Sequence, residues 1–178
     1  MRPRADVAGA HARTDPQHYQ RGAGADRCTP PDVVLAMLRL LDVPQGGRVL
    51  EVGTGSGFAA AVLSRAVGPD GHVHSVELDP VTAERARDLL ARDGRTNVAV
   101  SVGDGLRAVP TGEPVDRLVA FVSVSAEVPA PWVGAVRPGG LLVVPLRDEA
   151  RVVRFRLGPD GTPAPERAIG AVYADPGA

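Results

Sequence analysis

Three glycines set two apart, Gly53-Thr54-Gly55-Ser56-Gly57, stand between Arg48-Val49-Leu50-Glu51-Val52 and the apolar run that begins at Phe58. The first flank reads as a short buried strand, and Phe58 to Val67 reads as a helix apolar on most sides. A strand that passes into a helix through bare backbone puts amide groups where a ligand can approach closely; a side chain on any of these glycines would push that ligand outward. Amides at the start of a helix favour an anionic or polar group. Glu77 lies twenty residues after Gly57, at the end of the next strand. That location suits a carboxylate gripping both hydroxyls of a ribose. Loop and acid together read as a nucleoside site, whereas the loop alone also fits a tight turn with no ligand.

The spacing narrows the nucleoside. A dinucleotide fingerprint that starts at Gly53 and Gly55 needs its third glycine at position 58, where Phe58 would crowd helix against strand. Glycines two apart suit S-adenosylmethionine (SAM) better. Such a site must also accept a methionine carboxylate and ammonium and leave a sulfonium methyl exposed. Glu51, just before the loop, reads either as the group that balances the ammonium, directly or through water, or as a polar residue satisfied by loop amides. Asp104, in Val102-Gly103-Asp104-Gly105, is placed to accept from an adenine amino group; an ordinary turn aspartate is the other reading.

Strands and helices alternate around this loop. Thr29 is expected to cap a helix whose first positions are Pro30 and Pro31, with Val34, Met37, Leu38 and Leu41 forming one apolar stripe. Gly68-Pro69-Asp70-Gly71 is a turn, His72 to Leu78 a strand, and Asp79 and Pro80 open a helix that runs to about Arg92. Asn97 to Val102, Val115 to Val122 and Leu141 to Pro145 read as further strands, the last after a turn at Arg137-Pro138-Gly139-Gly140, with a short helix at Val128 to Val136. The alternation implies an α/β fold with a parallel sheet. The tail differs: Arg151 to Leu157 and Ala168 to Tyr173 alternate polar and apolar around Gly158-Pro159-Asp160-Gly161, an antiparallel hairpin closing one sheet edge. Residues 1–28 show no apolar periodicity and are expected to be mobile or to cover the substrate, leaving 29–178 as the single catalytic domain.

Composition excludes several classes. At 178 residues the chain suits one domain that needs no disulfide or metal staple, and its lone Cys28 rules out a cysteine-built zinc site. All 20 basic residues apart from His are Arg, which removes Schiff-base chemistry and the P-loop lysine. With Asn97 and Ile169 alone of their kinds, this looks like the codon bias of a GC-rich genome. A net charge of −1 and 3% aromatics argue against a dedicated nucleic-acid binder. No secretory h-region and no apolar span appear, so a cytoplasmic chain with no membrane partner is expected.

At this point the residues resemble a known family. Val49 to Phe58 followed by Ala59-Ala60-Ala61-Val62-Leu63 looks like the SAM motif of protein-L-isoaspartate O-methyltransferases. So do Gly68 to Gly71, Ser75-Val76-Glu77, Val102 to Gly105, Glu127-Val128-Pro129 and Arg137 to Gly140. The resemblance runs from about Thr29 to the C-terminus. It implies a Rossmann-like, seven-stranded SAM-dependent methyltransferase fold, mostly parallel with a C-terminal antiparallel hairpin. It also implies methyl transfer to a carboxylate of an isoaspartyl or aspartyl residue in a protein or peptide, for repair or for maturing a peptide natural product. Carried over, Gly53, Gly55 and Gly57 hold the methionine portion, Glu77 the ribose and Asp104 the adenine. Thr29 stands where the family has a substrate-facing Ser. The candidate cofactor residues are Glu51, Gly53, Thr54, Gly55, Ser56, Gly57, Glu77, Leu78, Gly103, Asp104 and Gly105, and Thr29 is the candidate catalytic residue. Two departures bear on the substrate: only about 28 residues precede Thr29 where the family carries a longer structured region, and Val122-Ser123-Val124-Ser125 replaces a Thr- and Ala-rich segment.

A carboxylate acceptor suits this chain. Its pKa near 4 makes it a nucleophile at neutral pH, so no base must act; holding oxygen, methyl carbon and sulfur in line supplies roughly 7–11 kcal/mol. His72 and His74 share a strand face without a third ligand and read as packing or surface residues, so no metal is expected. His11 and His18 lie in the unpatterned segment, within reach of the active site if it moves. Cys28 reads as a small apolar neighbour, Trp132 as packing or a cleft wall, and Arg21 and Arg27 either as ordinary surface arginines or as partners for an acidic substrate. Two other functions remain open: a tRNA adenine N-methyltransferase, which shares the glycine motif, and a non-catalytic SAM-binding module.

Overall fold

Seven strands form one sheet in the order β3-β2-β1-β4-β5-β6-β7. In this computed structural model, which describes residues 2–19, 28–109 and 112–170, the strands are β1 (Arg48–Val52), β2 (His72–Glu77), β3 (Val98–Val102), β4 (Val115–Ala120), β5 (Val136–Leu146), β6 (Arg151–Leu157) and β7 (Pro163–Gly170). The helices are α1 (Val7–Ala12), α2 (Pro16–Tyr19), α3 (Pro31–Leu41), α4 (Phe58–Val67), α5 (Pro80–Arg92) and α6 (Ala130–Ala135). The first five strands pair in parallel and the last two add antiparallel, as the alternating tail predicts. Among the described residues no helix is long and apolar enough to cross a membrane.

Period-2 alternation in β1 sorts its side chains between two cores. Val49 joins Val73, Val119 and the apolar stripes of α3 and α4 on one face. Leu50 and Val52 join Leu118, Leu142 and Trp132 of α6 on the other. The chain runs from β1 to β2 to β3 toward one edge, then returns across the sheet so that β4 lies beside β1. This reversal opens a crevice beyond the strand ends, where ligands of such sheets bind.

The lone Asn97 holds two elements together. Its amide nitrogen reaches the carbonyls of Ser64, Gly68 and Gly71, and its oxygen accepts from Ser64 Oγ at 2.5 Å. These bonds tie the end of α4 to the turn before β2.

Four expectations change. Thr29 is not the cap of α3; Pro30 takes that position without a side-chain hydrogen bond, and the helix opens from its carbonyl, which accepts from Val34 N. The unpatterned segment contains α1 and α2, whose Val7, Ala10 and Tyr19 are buried in the first core. Helices of six and four residues carry too little periodicity to be read alone and form through tertiary packing. His11 and His18 are accordingly held, by Pro31 O and Leu89 O. Arg137 to Gly140 is not a free turn before β5 but a bulge inside it, since Val115 pairs with Val136 and Arg117 with Leu141. The Arg137 guanidinium fills it by pairing with Asp116 at 2.6 Å. β7 begins at Pro163, not Ala168; Pro163 and Pro165 are tolerated because β7 is the sheet edge. The expected strand at Ala171 to Tyr173, and Arg21 and Arg27, lie outside the described residues.

Candidate functional site

The glycine loop stands at the mouth of the crevice with Gly53, Gly55 and Gly57 all at positive φ. At Gly53 the need for glycine is twofold: φ is +92°, and a Cβ would sit 3.1 Å from Val122 beyond β4. Gly57 caps α4 in the left-handed region and turns its bare face toward Ala86 and Leu90, which lets α5 pack close. Glu77 then closes the loop. Its Oε2 accepts from Gly55 N at 2.9 Å, and its Oε1 from Asp79 N at 3.1 Å. Asp79 caps α5 by accepting from Thr82 N, and its bonds to Thr82 hold its carboxyl below the usual range.

Between these elements lies a cleft of about 570 Å³. Gly53, Thr54, Gly55, Ser56 and Glu77 line it from one continuous stretch, and Thr29, Cys28, Tyr19 and Phe121 line it from other parts of the chain. Thr29, freed from capping, is half-buried on this lining. Among the described residues the titratable groups on the wall are Tyr19, Cys28, Glu77, Asp79 and Arg85. No group of three metal-ligating side chains occurs among the described residues. His74 instead pairs with Ser101 Oγ at 2.8 Å, and burial, with His72 beside it, lowers its pKa.

Glu51 stands behind the wall and is completely buried. Its Oε2 accepts from Ser75 Oγ at 2.5 Å, and Ser75 Oγ lies 2.5 Å from Thr54 Oγ1. Among the described residues Glu51 Oε1 has no hydrogen-bond partner. Loss of solvation, with the charge of Glu77 adding to it, pushes the Glu51 carboxyl up to about 8 against the Ser75 bond, which favours the charged form. Of the two readings of Glu51, satisfaction by loop amides does not hold, because Ser75 is its partner.

The other expected cofactor residues adjoin the cleft without forming its wall. Gly103 N donates to Glu77 O at 2.8 Å, which sets Gly103-Asp104-Gly105 beside the end of β2. Asp104 Oδ1 accepts from Leu106 N, and its other oxygen pairs with Arg107, so the carboxyl closes its own turn. Gly105 lies where a Cβ would meet Val52 at 2.6 Å, and its carbonyl accepts from Trp132 Nε1 at 2.6 Å. Trp132 is thus packing, completely buried. Leu78, Val81, Val102 and Leu106 leave an unusually exposed apolar surface around this end of the sheet.

Tyr19, Phe121, Arg85 and Ser75 escaped the sequence reading. Ser75 was the most accessible of them: it lies two residues before Glu77, on the same strand face, and in register with Glu51. Tyr19 offered no signal at all.

Comparison with known proteins agrees with this geometry. The sequence profile of the protein-L-isoaspartate(D-aspartate) O-methyltransferases matches residues 17–162. A protein-L-isoaspartate O-methyltransferase from Ignicoccus hospitalis is 40% identical over 128 residues, 72% of this chain and 60% of that protein. The chain therefore spans about three fifths of that relative's length. A solved protein-L-isoaspartate O-methyltransferase superposes with a TM-score of 0.74 at 28% identity, over 93% of this chain and 60% of that one. A β-aspartate methyltransferase candidate from Plasmodium falciparum, solved with S-adenosyl-L-homocysteine (SAH), gives 0.75 at 16% identity, over 94% and 88%, and shares the fold. A glycine loop latched by Glu77 at the sheet's reversal is what this likeness in sequence and fold covers, and the chain belongs to the protein-L-isoaspartate(D-aspartate) O-methyltransferase family.

Proposed function

We propose that the chain transfers a methyl group from SAM to the free carboxylate of an isoaspartyl residue in a protein or peptide. The observation that carries this reading is the loop from Gly53 to Gly57, fastened to the Glu77 carboxylate at the crevice. A cleft of about 570 Å³ has the size of a small-molecule site. Glu77 presents carboxylate oxygens suited to ribose hydroxyls, and the exposed Leu78 and Leu106 offer apolar surface to an adenine ring. Gly103, Asp104 and Gly105 belong to this adenine end in the proposal, and Glu51 supplies negative potential from behind the wall.

When bound, SAM would supply an electrophilic methyl group on a sulfonium, with neutral SAH as the leaving group. The protein's part is to hold and exclude. The Gly53, Gly55 and Gly57 amides are spent on Val76 O, Glu77 and Thr54 O, so the loop's part is to offer bare backbone to close approach of the methionine portion; Phe121 and Val122 limit water on the β4 side, and the Thr29 hydroxyl lies on the lining where it can meet the acceptor. A carboxylate needs no deprotonation, which accords with a cleft wall free of His among the described residues.

The test supplies methyl-labelled SAM with an isoaspartyl peptide, its aspartyl counterpart and tRNA. Base-labile label confined to the isoaspartyl peptide is expected. Base-stable label on tRNA would replace this reading with adenine N-methylation. SAM binding without transfer to any of them would leave a binding module.

A further inference from the structure

A carboxyl that is completely buried, bonded on one oxygen and bare on the other, is costly to keep charged and unusual to keep at all. Glu51 is not on the cleft wall, yet two hydrogen bonds of 2.5 Å, through Ser75 Oγ, link it to Thr54, which is. Each hydroxyl in this chain can donate in either direction. With a proton on Glu51, the carboxyl donates to Ser75, Ser75 to Thr54, and Thr54 toward the cleft. With Glu51 ionised, every bond reverses: Thr54 donates to Ser75 and Ser75 to the carboxylate.

We propose that Glu51 is a charge-sensing positioning residue, protonated while the cleft holds no net cation and ionised when the sulfonium form of the cofactor enters. This rests on the methyl-donor reading above. In the switch the Glu51 Oε2–H bond breaks as a Ser75 O–H forms, the Ser75 proton passes to Thr54, and the Thr54 proton passes to water in the cleft and on to buffer. The carboxylate left behind stabilises a positive ligand. SAM carries a net positive charge and SAH, its sulfur neutral, carries none, so the same group favours the first ligand over the second. The buried carboxyl's raised pKa accords with a proton held in the empty cleft at neutral pH.

The surroundings keep this response specific. From β2 the facing charge is Glu77, which among the described residues is the group whose charge acts on Glu51. β4 presents Val119 in register. α4 carries no charge before Arg65 in its last turn, and α3 none between Asp32 and Arg39. The other titratable groups that line the cleft are Asp79, Arg85, Cys28 and Tyr19.

Calorimetry in phosphate and in Tris, whose ionisation heats differ, counts protons exchanged as SAM or SAH binds to the full chain. At pH 7 the wild type should release most of one proton with SAM and far less with SAH. SAM affinity should rise with pH between about 6 and 8, by up to about tenfold per unit, and level above that, while SAH affinity stays flat. Glu51→Gln should abolish the release and flatten the SAM profile, and Glu51→Asp should restore both. Ser75→Ala removes the bond that favours the charged form, so it should move the rise in affinity to higher pH. SAM binding with no proton release, equal release with both ligands, release that persists in Glu51→Gln, or an unmoved profile in Ser75→Ala each overturns the inference alone. Failure of both ligands to bind overturns the methyl-donor reading and this inference with it.

Discussion

The two walls of the cleft are built in different ways. The glycine-loop wall comes from one continuous stretch, Gly53 to Glu77: a glycine loop, a helix and a second strand, closed by a carboxylate on the loop's own amide. The second wall is assembled from separate places in the chain: Tyr19 from α2, Thr29 from the approach to α3, and Phe121 and Val122 from beyond β4. Only packing brings these together. A wall made by local geometry should respond to single substitutions through ligand affinity, and a wall made by packing should respond through stability and acceptor recognition.

The largest expected effect tests whether the walls are separate at all. Trp132 lies on α6, far along the chain from the glycine loop, yet its Nε1 donates to Gly105 O beside the nucleoside end. Trp132→Ala empties a completely buried site and should cost about 3–5 kcal/mol of unfolding free energy, read from denaturant midpoints. Trp132→Phe keeps most of the volume but strands the Gly105 carbonyl, for about 1–3 kcal/mol. A loss under about 1 kcal/mol in both would mean that the second core does not support this end of the site.

Next comes the latch. Glu77→Ala removes the acceptor of Gly55 N and, in the proposed reading, the ribose partner with it. Charge-assisted hydrogen bonds are worth about 1.5–3 kcal/mol, so SAM should bind roughly ten- to a hundredfold more weakly by calorimetry, with KM for the isoaspartyl peptide little changed. Unchanged SAM affinity would move the ribose away from Glu77. A rise confined to the peptide KM would exchange the roles of the two walls.

The same contrast explains what could be read before the structure. Strand, loop, helix and acid were legible because each leaves a mark within a few residues: glycines where φ is positive, Asp79 and Pro80 at a helix start, alternation in the hairpin. Thr29 was legible as a site residue only through family resemblance, and its expected cap was wrong because Pro30 supplies the cap position. α1 and α2 left no mark, since Val7 and Ala10 gain their burial from α3 and α4, and Tyr19 from α4 and α5, and not from their neighbours in sequence. The bulge at Arg137 to Gly140 looked like a turn because both use glycine and proline; its pairing partner, Asp116, is set by β4. Asp104 carries a family expectation, but its oxygens close a turn and an ion pair, so its distance from a bound adenine is a matter for ligand binding.

The smallest effect makes the finest cut. Tyr19 is buried with its hydroxyl donating to Asp93 Oδ2 at 2.8 Å, a bond that ties α2 to the end of α5. Burial, and then Asp93, raise its pKa, so the phenol keeps its proton and remains a donor throughout the neutral range. Tyr19→Phe removes that donor, but Asp93 stays paired with Arg65 at 2.7 Å and Arg95 at 3.5 Å. The loss should therefore be about 1 kcal/mol, and the ring should keep its edge-on packing against Phe58, 6.1 Å between centroids. What loosens is the attachment of α2, which the proposed reading puts on the acceptor side of the cleft. SAM affinity should stay within about twofold while KM for the isoaspartyl peptide rises several-fold, because the first depends on the glycine loop and the second on the wall that packing assembles. A tenfold loss of SAM affinity with an unchanged peptide KM would show that α2 supports the glycine-loop wall instead.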